Sequence, residues 1–408
     1  MVNSISRDTT QHSAGFLRFW SASRRRHPVV GIPVGRIPVG RIPFNSIMTT
    51  PSPDAPQTAI IGAGLAGLTC AQELASAGHA VTVFDKGRRP GGRMSTRTPE
   101  GLSFDHGCQY FTATSSAFQN QVCDWQEAGV VADWTVPVMQ WREGQLSPLS
   151  DKPKFVGQPE MQSVCRHLAT GLDVRCGVEI TRVQRHGDRW QLRMDEAAPP
   201  LSFDRLIVAI PPAQAARVLD GHWPLVGCAD VEMSVCWTLM LERQSHPQDR
   251  SGRGARSADS ADRTDGADSA DSAIRLVDHP LSWVARNSSK PGRPAAECWV
   301  AQASPAWSLH HLEDTREQAA TALLEELQTV IGPVDAKYVR AHRWRYALPV
   351  VRLADVATAD VTPAGIPEAE GARYWHEQSL GLCGDWCGGD RVEAAWQSGR
   401  QLARMIVS

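Results

Sequence analysis

No run of eighteen apolar residues occurs in this sequence, so nothing in it reads as a membrane-spanning helix. Its ten cysteines are scattered, with no CxxC pair and no dense spacing. That argues against a disulfide framework or a zinc ribbon and favours a reducing cytoplasm. His310 and His311 have no Cys or acid at metal-ligand spacing, so no metal is expected. A net charge of −2 gives no global basic field for nucleic acid. What remains is a chain of 408 residues, 42% hydrophobic and 21% charged. It can bury a substantial core, is neither wholly disordered nor collagen-like, and has room for two or three domains.

Two stretches depart from this average. Residues 1–48 hold seven Arg, no Lys and one acid, Asp8, for a net +6 that leaves −8 on the rest. Arg36 and Arg41 interrupt the apolar repeat GIPVGRIPVGRIPF, which prevents a signal-peptide core. Such a composition suits an organelle transit peptide, but we read 1–57 as a disordered basic extension, or as sequence upstream of the true start. Residues 246–273 repeat Ala, Asp and Ser and contain no aromatic residue. They cannot bury enough apolar area to offset ordering, and are expected to form a disordered surface insertion rather than a docking loop.

The first chemical motif starts at Thr58. A short apolar run ends at Ile61, and Gly62, Gly64 and Gly67 follow as GxGxxG. Leu65, Leu68, Ala71 and Leu74 lie at helical spacing, Gly78 is a helix stop, and a second strand from Ala80 to Phe84 ends at Asp85. This is a complete βαβ dinucleotide unit. Gly62 allows the tight turn, Gly64 leaves space for a pyrophosphate, and Gly67 lets helix approach strand. The helix start, with Ala63 and Ala66, offers free N–H groups to phosphate. Asp85 can accept from ribose hydroxyls, contributing about 1.5–3 kcal/mol as a charged acceptor.

Directly after Asp85 comes KGRRPGGRMSTR, in which Lys86, Gly92 and Arg93 stand within eight residues of the acid. Glycines bring backbone to an anionic ligand, and Arg93 adds a charge. Near the other end, LCGDWCGGDRVEAAWQSGRQLA places Gly384 and Asp385 after an apolar run, then a Gly388-Gly389 turn. Asp390 and Glu393 are spaced like a capping box, and Val392, Ala395, Trp396, Gly399, Leu402 and Ile406 form a helical stripe. Cys383 and Cys387, four apart, read as packing rather than as a redox pair. Between these ends, 172–210 alternates as strands and closes on an apolar strand, Leu206–Ile210.

The run RRPGGRMST, FDHGCQYFT (Phe104–Thr112) and the closing segment resemble the flavin-dependent amine oxidase superfamily. LSWVARNSSKPGRP, CWVAQASPAWSLHHLE and AHRWRYALP further resemble renalase and its bacterial relatives, over 58–408 apart from the insertion. The resemblance implies an α/β fold: a discontinuous FAD-binding Rossmann-like domain (58–115, 160–215, 370–408) and an α+β substrate domain with a mixed sheet (116–159, 216–369). Within the latter, a helix is expected over 313–331 on Leu323, Leu324, Leu327 and Val330.

It also implies a non-covalent FAD held by Gly62, Ala63, Gly64, Ala66, Gly67, Asp85, Lys86, Gly92, Arg93, Gln109, Tyr110, Ile180, Gly384, Asp385 and Val392. The activity implied is oxidation of 2- or 6-dihydro-NAD(P) to NAD(P)+ by hydride transfer to the flavin, with O2 reduced to H2O2 and no catalytic side chain. Candidate substrate contacts are Tyr110, Trp283, Asn287, Trp299, His342, Trp344 and Arg345, with Trp283 and Trp299 as walls, Asn287 for the carboxamide and Arg345 for a phosphate. The alternatives are ordinary core for each Trp and a structural imidazole at His342. For the whole protein they are an amine oxidase or desaturase with another substrate, or a non-enzymatic FAD-binding sensor.

Overall fold

Strand β1 (Gln57–Ile61) is buried at four of its five positions, as a strand flanked on both sides must be. Its neighbours are parallel: β2 (Ala80–Asp85) on one side and β11 (Arg205–Val208) on the other. β7 (Asp173–Cys176) extends the sheet beyond β2. On the other side β18 (Leu380–Cys383) pairs parallel with β11, and β17 (Ala372–Trp375) closes the edge antiparallel. The order is thus β17-β18-β11-β1-β2-β7, drawn from three separate parts of the chain. The computed structural model describes residues 55–150, 152–194, 199–219, 231–244, 273–352 and 371–408, all within one unit, Ile47–Ser408. Residues 1–54 and 245–272, most of the expected extension and insertion, lie outside the described residues. Ala273, counted in the insertion, instead opens a strand.

Helix α1 (Leu65–Ser76) and the helix Val392–Val407 pack together on this sheet. A Cβ on Gly399 would sit 2.1 Å from the Ala66 carbonyl oxygen, so only glycine allows this crossing. Helix α2 (Ser116–Glu127), expected in the substrate domain, sets its Phe118 ring 5.2 Å from Trp396 of the same C-terminal helix, tilted by 47°. The reason is its apolar face, Phe118, Val122 and Trp125, which completes that core.

The second sheet has seven strands in the order β16-β12-β15-β14-β13-β4-β5. In chain order they are β4 (Val138–Arg142), β5 (Gln145–Ser150), β12 (Cys236–Arg243), β13 (Ala273–Leu276), β14 (Leu281–Arg286), β15 (Cys298–Ala303) and β16 (Ala336–Trp344). The β13–β4 pair is parallel and the others antiparallel, so the sheet is mixed. One face packs on the helix Arg316–Ile331 through Leu323 and Leu327, each fully buried and each contributing about 2 kcal/mol. This helix starts three residues later than expected, because Thr315 and Gln318 form a capping box there.

The opposite face carries one continuous rung. Partners read across the strands are His342, Thr238, Gln302, Trp283, Arg275 and Gln140. Residues directly opposed in a ladder project to the same side. The segment 105–110 lies against this rung: the Gln302 amide donates to the Gly107 carbonyl at 2.7 Å, and Tyr110 sits 5.3 Å from Trp283 between ring centroids.

Candidate functional site

The glycine turn is built as its spacing demands. Gly62 has φ +113, and a Cβ there would lie 2.6 Å from the Ala209 oxygen. A Cβ on Gly67 would collide with the Gly62 oxygen at 2.1 Å. Gly64 is different: a Cβ there meets no protein atom within 4 Å. Space is therefore left open over the start of α1, where N–H groups of the first turn have no helical partner. Gly92 comes up to the same place, its would-be Cβ 3.4 Å from the Gly64 Cα, and the Gly91 amide donates to Ala63 at 2.9 Å. The two glycine motifs form one cradle.

Asp85 stands at the end of β2, half-buried. Its Oδ2 accepts from the Ala63 amide and its Oδ1 from the Gly87 amide, each at 2.6 Å. Burial raises its pKa, and those two bonds oppose the rise. The carboxylate therefore clamps the glycine turn. Lys86 is exposed beside Glu179 at 3.8 Å. Ile180 is buried in the loop whose Val178 amide donates to the Asp85 carbonyl.

Arg93 and Asp385 meet directly. The guanidinium forks onto both carboxylate oxygens at 2.6 and 2.5 Å and also donates to the Ala347 carbonyl. The expected capping box at Asp390 and Glu393 does not form: Arg391 is the N-cap, with no side-chain cap bond. Glu393 instead accepts from the Thr114 and Ser115 amides, each at 2.8 Å, because α2 begins there and its first amides need acceptors. Burial favours the neutral acid, but those bonds outweigh it and lower the Glu393 pKa. Val392 packs at the edge of the core that includes Tyr110. The Gly384 amide is held by the Ser398 hydroxyl at 2.8 Å.

A buried charge cluster fixes the segment 105–110. Asp105 Oδ2 accepts from Lys290 at 3.1 Å and Arg293 at 2.6 Å, and its Oδ1 accepts from Thr96 at 2.7 Å. All three charged side chains are inaccessible to solvent. Burial alone would raise the Asp105 pKa, but Lys290 and Arg293 reverse the sign and hold it well below the carboxylate range. Gln109 donates to the Asp105 and Gly107 carbonyls and accepts from Lys290. Its amide is thus committed to the protein rather than left for a cofactor. Sequence reasoning passed over Asp105, Lys290 and Arg293. The signal was a Lys and an Arg flanking Pro291-Gly292 close to an acid inside an apolar run.

The substrate candidates separate into two clusters and three residues that stand apart. Tyr110 and Trp283 come together with Trp134, which the sequence did not suggest, at centroid distances of 5.3, 6.0 and 6.4 Å. The Trp283 indole nitrogen is buried without a hydrogen-bond partner. His342 and Trp344 form a second cluster with His106. Burial, followed by the charges of neighbouring groups, pushes His106 down to about 3 and His342 to about 4, so both rings are neutral near pH 7. Three expectations fail. Trp299 alternates to the other face of the sheet and packs against the helix Arg316–Ile331. Asn287 is fully buried, donating to the Ser103 carbonyl and accepting from Lys290 and the Asp105 amide, so no carboxamide reaches it. Arg345 is exposed and pairs with Glu313 at 3.2 Å.

A glycine cradle over a helix start, an acid at the end of β2, and an aromatic cluster against a mixed sheet define an FAD-dependent oxidoreductase. The family described as NAD(P)-binding Rossmann-like domain matches residues 60–123, and that described as flavin containing amine oxidoreductase matches 125–407. The chain belongs to the flavin-containing amine oxidoreductase family.

Similar solved structures include one from Exiguobacterium sp. 255-15 ascribed to a protoporphyrinogen oxidase, 13% identical, covering 86% of this chain and 98% of that one at a TM-score of 0.64. Cyclohexylamine oxidase from Brevibacterium oxydans IH-35A is 12% identical, covering 86% of this chain and 99% of its own at 0.63. At such identity these show the fold alone. A 4,4'-diapophytoene desaturase of Staphylococcus haemolyticus is 49% identical over 49 residues, 12% of this chain and 10% of that protein. The match spans about a tenth of the length of that curated relative.

Proposed function

We propose that this protein is a renalase-type oxidase that takes a two-electron-reduced nicotinamide, a 2- or 6-dihydro isomer of NAD(P), to NAD(P)+, with O2 as the final acceptor and H2O2 as product. The observation that carries the reading is the aromatic cluster of Tyr110, Trp134 and Trp283, with the unpartnered Trp283 N–H and the neutral imidazole of His342 on the same rung. Bound FAD supplies the hydride acceptor. Oxidising a dihydropyridine needs no protein base, because regained aromaticity drives it. The residues must stack and orient a flat ring within about 3–3.5 Å of its acceptor. Tyr110 and Trp283 offer ring faces for that, and the Trp283 N–H offers a donor to a carboxamide oxygen. Their apolar surroundings exclude water from the reacting face.

A second reading is supported by the family itself: oxidation of an amine, or desaturation of an apolar substrate, in the same cleft. Anaerobic stopped-flow mixing separates the two. Rapid flavin bleaching by borohydride-generated NAD isomers is the expected result. Bleaching by amines alone would overturn the first reading in favour of the second. Reduction by neither would leave a flavin-binding sensor.

A further inference from the structure

The aromatic cleft has a charged end that the sequence did not reveal. Arg275 lies on β13, directly opposite Trp283 in the antiparallel pair and beside Gln140 of β4. It therefore projects to the side of the sheet on which Trp283 meets Tyr110. β13 is an interior strand, and its Ala273, Ile274 and Leu276 are all buried. Arg275 alone among them is exposed. An exposed side chain on an interior strand of a seven-stranded sheet marks a point that no other described residue covers. Along the rung the surface closes in the other direction, from Gln302, half-buried, to Thr238, fully buried.

Arg275 has no acidic partner among the described residues. Its charge is felt at the Tyr110 hydroxyl. Burial raises its pKa, and the positive charges of Arg275 and Arg391 oppose the rise. Arg391 is the exposed N-cap of the helix Val392–Val407 and, among the described residues, pairs with Asp390, itself exposed, at 3.5 Å. Arg275 and Arg391 thus set two exposed cations beside the aromatic cluster, and the only other cation against its rings among the described residues, Lys290 over Trp134 at 5.6 Å, is buried and already paired with Asp105. A protonated amine would be repelled by the exposed pair. An anion attached to a flat ring fits both parts: the ring lies at Tyr110 and Trp283, and the anion reaches the guanidinium outside. Arg is suited to this because its planar fork meets phosphate oxygens in pairs.

We propose that Arg275 is the specificity-determining residue of the cleft, receiving a phosphate of a substrate whose ring stacks at Trp283. The proposal rests on the oxidase reading above for the identity of the ring, though not for the anion. It replaces Arg345, which the fold places elsewhere.

The test uses the FAD-loaded protein and Arg275→Gln, with Arg275→Lys as the charge-conserving control. Flavin content is measured first. Release of FAD from Arg275→Gln would overturn the proposal by placing the guanidinium on the cofactor. Flavin reduction is then followed with borohydride-generated isomers of NAD and of nicotinamide riboside, which lacks phosphate. The expected result is a 10- to 100-fold rise in KM for the NAD isomers, equivalent to about 1.4–2.7 kcal/mol. The limiting rate stays nearly unchanged, the riboside isomers show no change, and Arg275→Lys recovers much of the loss. Equal KM values for wild type and Arg275→Gln would overturn the role of Arg275 while leaving the oxidase reading intact.

If no isomer reduces the wild type, the oxidase reading fails. Quenching of tryptophan fluorescence by NAD+ then decides on Arg275 alone. Salt-sensitive binding that Arg275→Gln weakens supports it. Equal binding by both proteins, or none, overturns it.

Discussion

Arg93 and Asp385 are 292 residues apart and join in a bidentate ion pair. One comes from the second glycine motif and the other from the segment before the C-terminal helix, so the pair fastens the two ends of the first sheet's layer across the cradle. Asp385 is nearly buried and Arg93 about one-third exposed. Arg93→Ala therefore leaves a carboxylate in a poorly solvated place. The expected loss is about 3 kcal/mol in urea denaturation of the apoprotein, with weaker FAD retention on dialysis. Arg93→Lys should recover only part of it, because a point charge cannot match the fork.

Two glycines in one turn should behave oppositely. Gly64→Val places its side chain where no protein atom lies within 4 Å. The apoprotein should melt within a degree or two of wild type and yet fail to turn yellow. Gly67→Ala collides with backbone 2.1 Å away, so the fold itself should weaken. Equal melting temperatures for the two apoproteins would contradict this division of labour.

Asp85 has two tasks, which makes Asp85→Ala a compound change. It removes the acceptor of the Ala63 and Gly87 amides as well as the ribose contact expected from the motif. Expected are an apoprotein destabilised by about 1.5–3 kcal/mol and a markedly higher Kd for FAD. A loss of affinity with no loss of stability would show that the backbone amides find water instead.

Asp105→Asn should be among the most damaging single substitutions in the second layer. It leaves Lys290 and Arg293 buried with no counter-charge, a situation that costs about 3–5 kcal/mol. Lys290→Met should be milder, because Arg293 still neutralises Asp105. Chemical denaturation of both variants checks the order.

Acid should destabilise the fold through His106 and His342. Their pKa values fall from 6.5 to about 3 and about 4 on folding. The unfolded chain therefore binds more protons below about pH 6.5, and stability is complete above that pH. It should fall as the pH drops toward 4. His342→Asn should flatten the slope of melting temperature against pH in that window. An unchanged slope would place the acid sensitivity elsewhere.

Local chemistry was legible in the sequence, and cross-strand geometry was not. The order strand, Gly62, Gly64, Gly67, helix, Asp85 follows from spacing alone, and so does the apolar face of the helix Arg316–Ile331. The faces of Trp283 and Trp299 depended on register between β14 and β15, where an irregularity falls between Leu281 and Trp283. No pattern within either strand carries that information. Arg275 stayed hidden for the same reason: its neighbours Trp283 and Gln140 come from other strands. Asn287 looked like a free amide, because its partners Ser103, Asp105 and Lys290 are joined to it only by folding.

The order of strands in the first sheet has a consequence for biosynthesis. β1 lies between β2, which follows it at once, and β11, which leaves the ribosome far later, with β18 later still. Until then the nascent βαβ unit presents an apolar strand edge with no cover, a hazard that chaperones or rapid local collapse must contain. Asp385 and the last helix are translated after that, so the ion pair that ties Arg93 to Asp385 can form only at the end of the folding sequence.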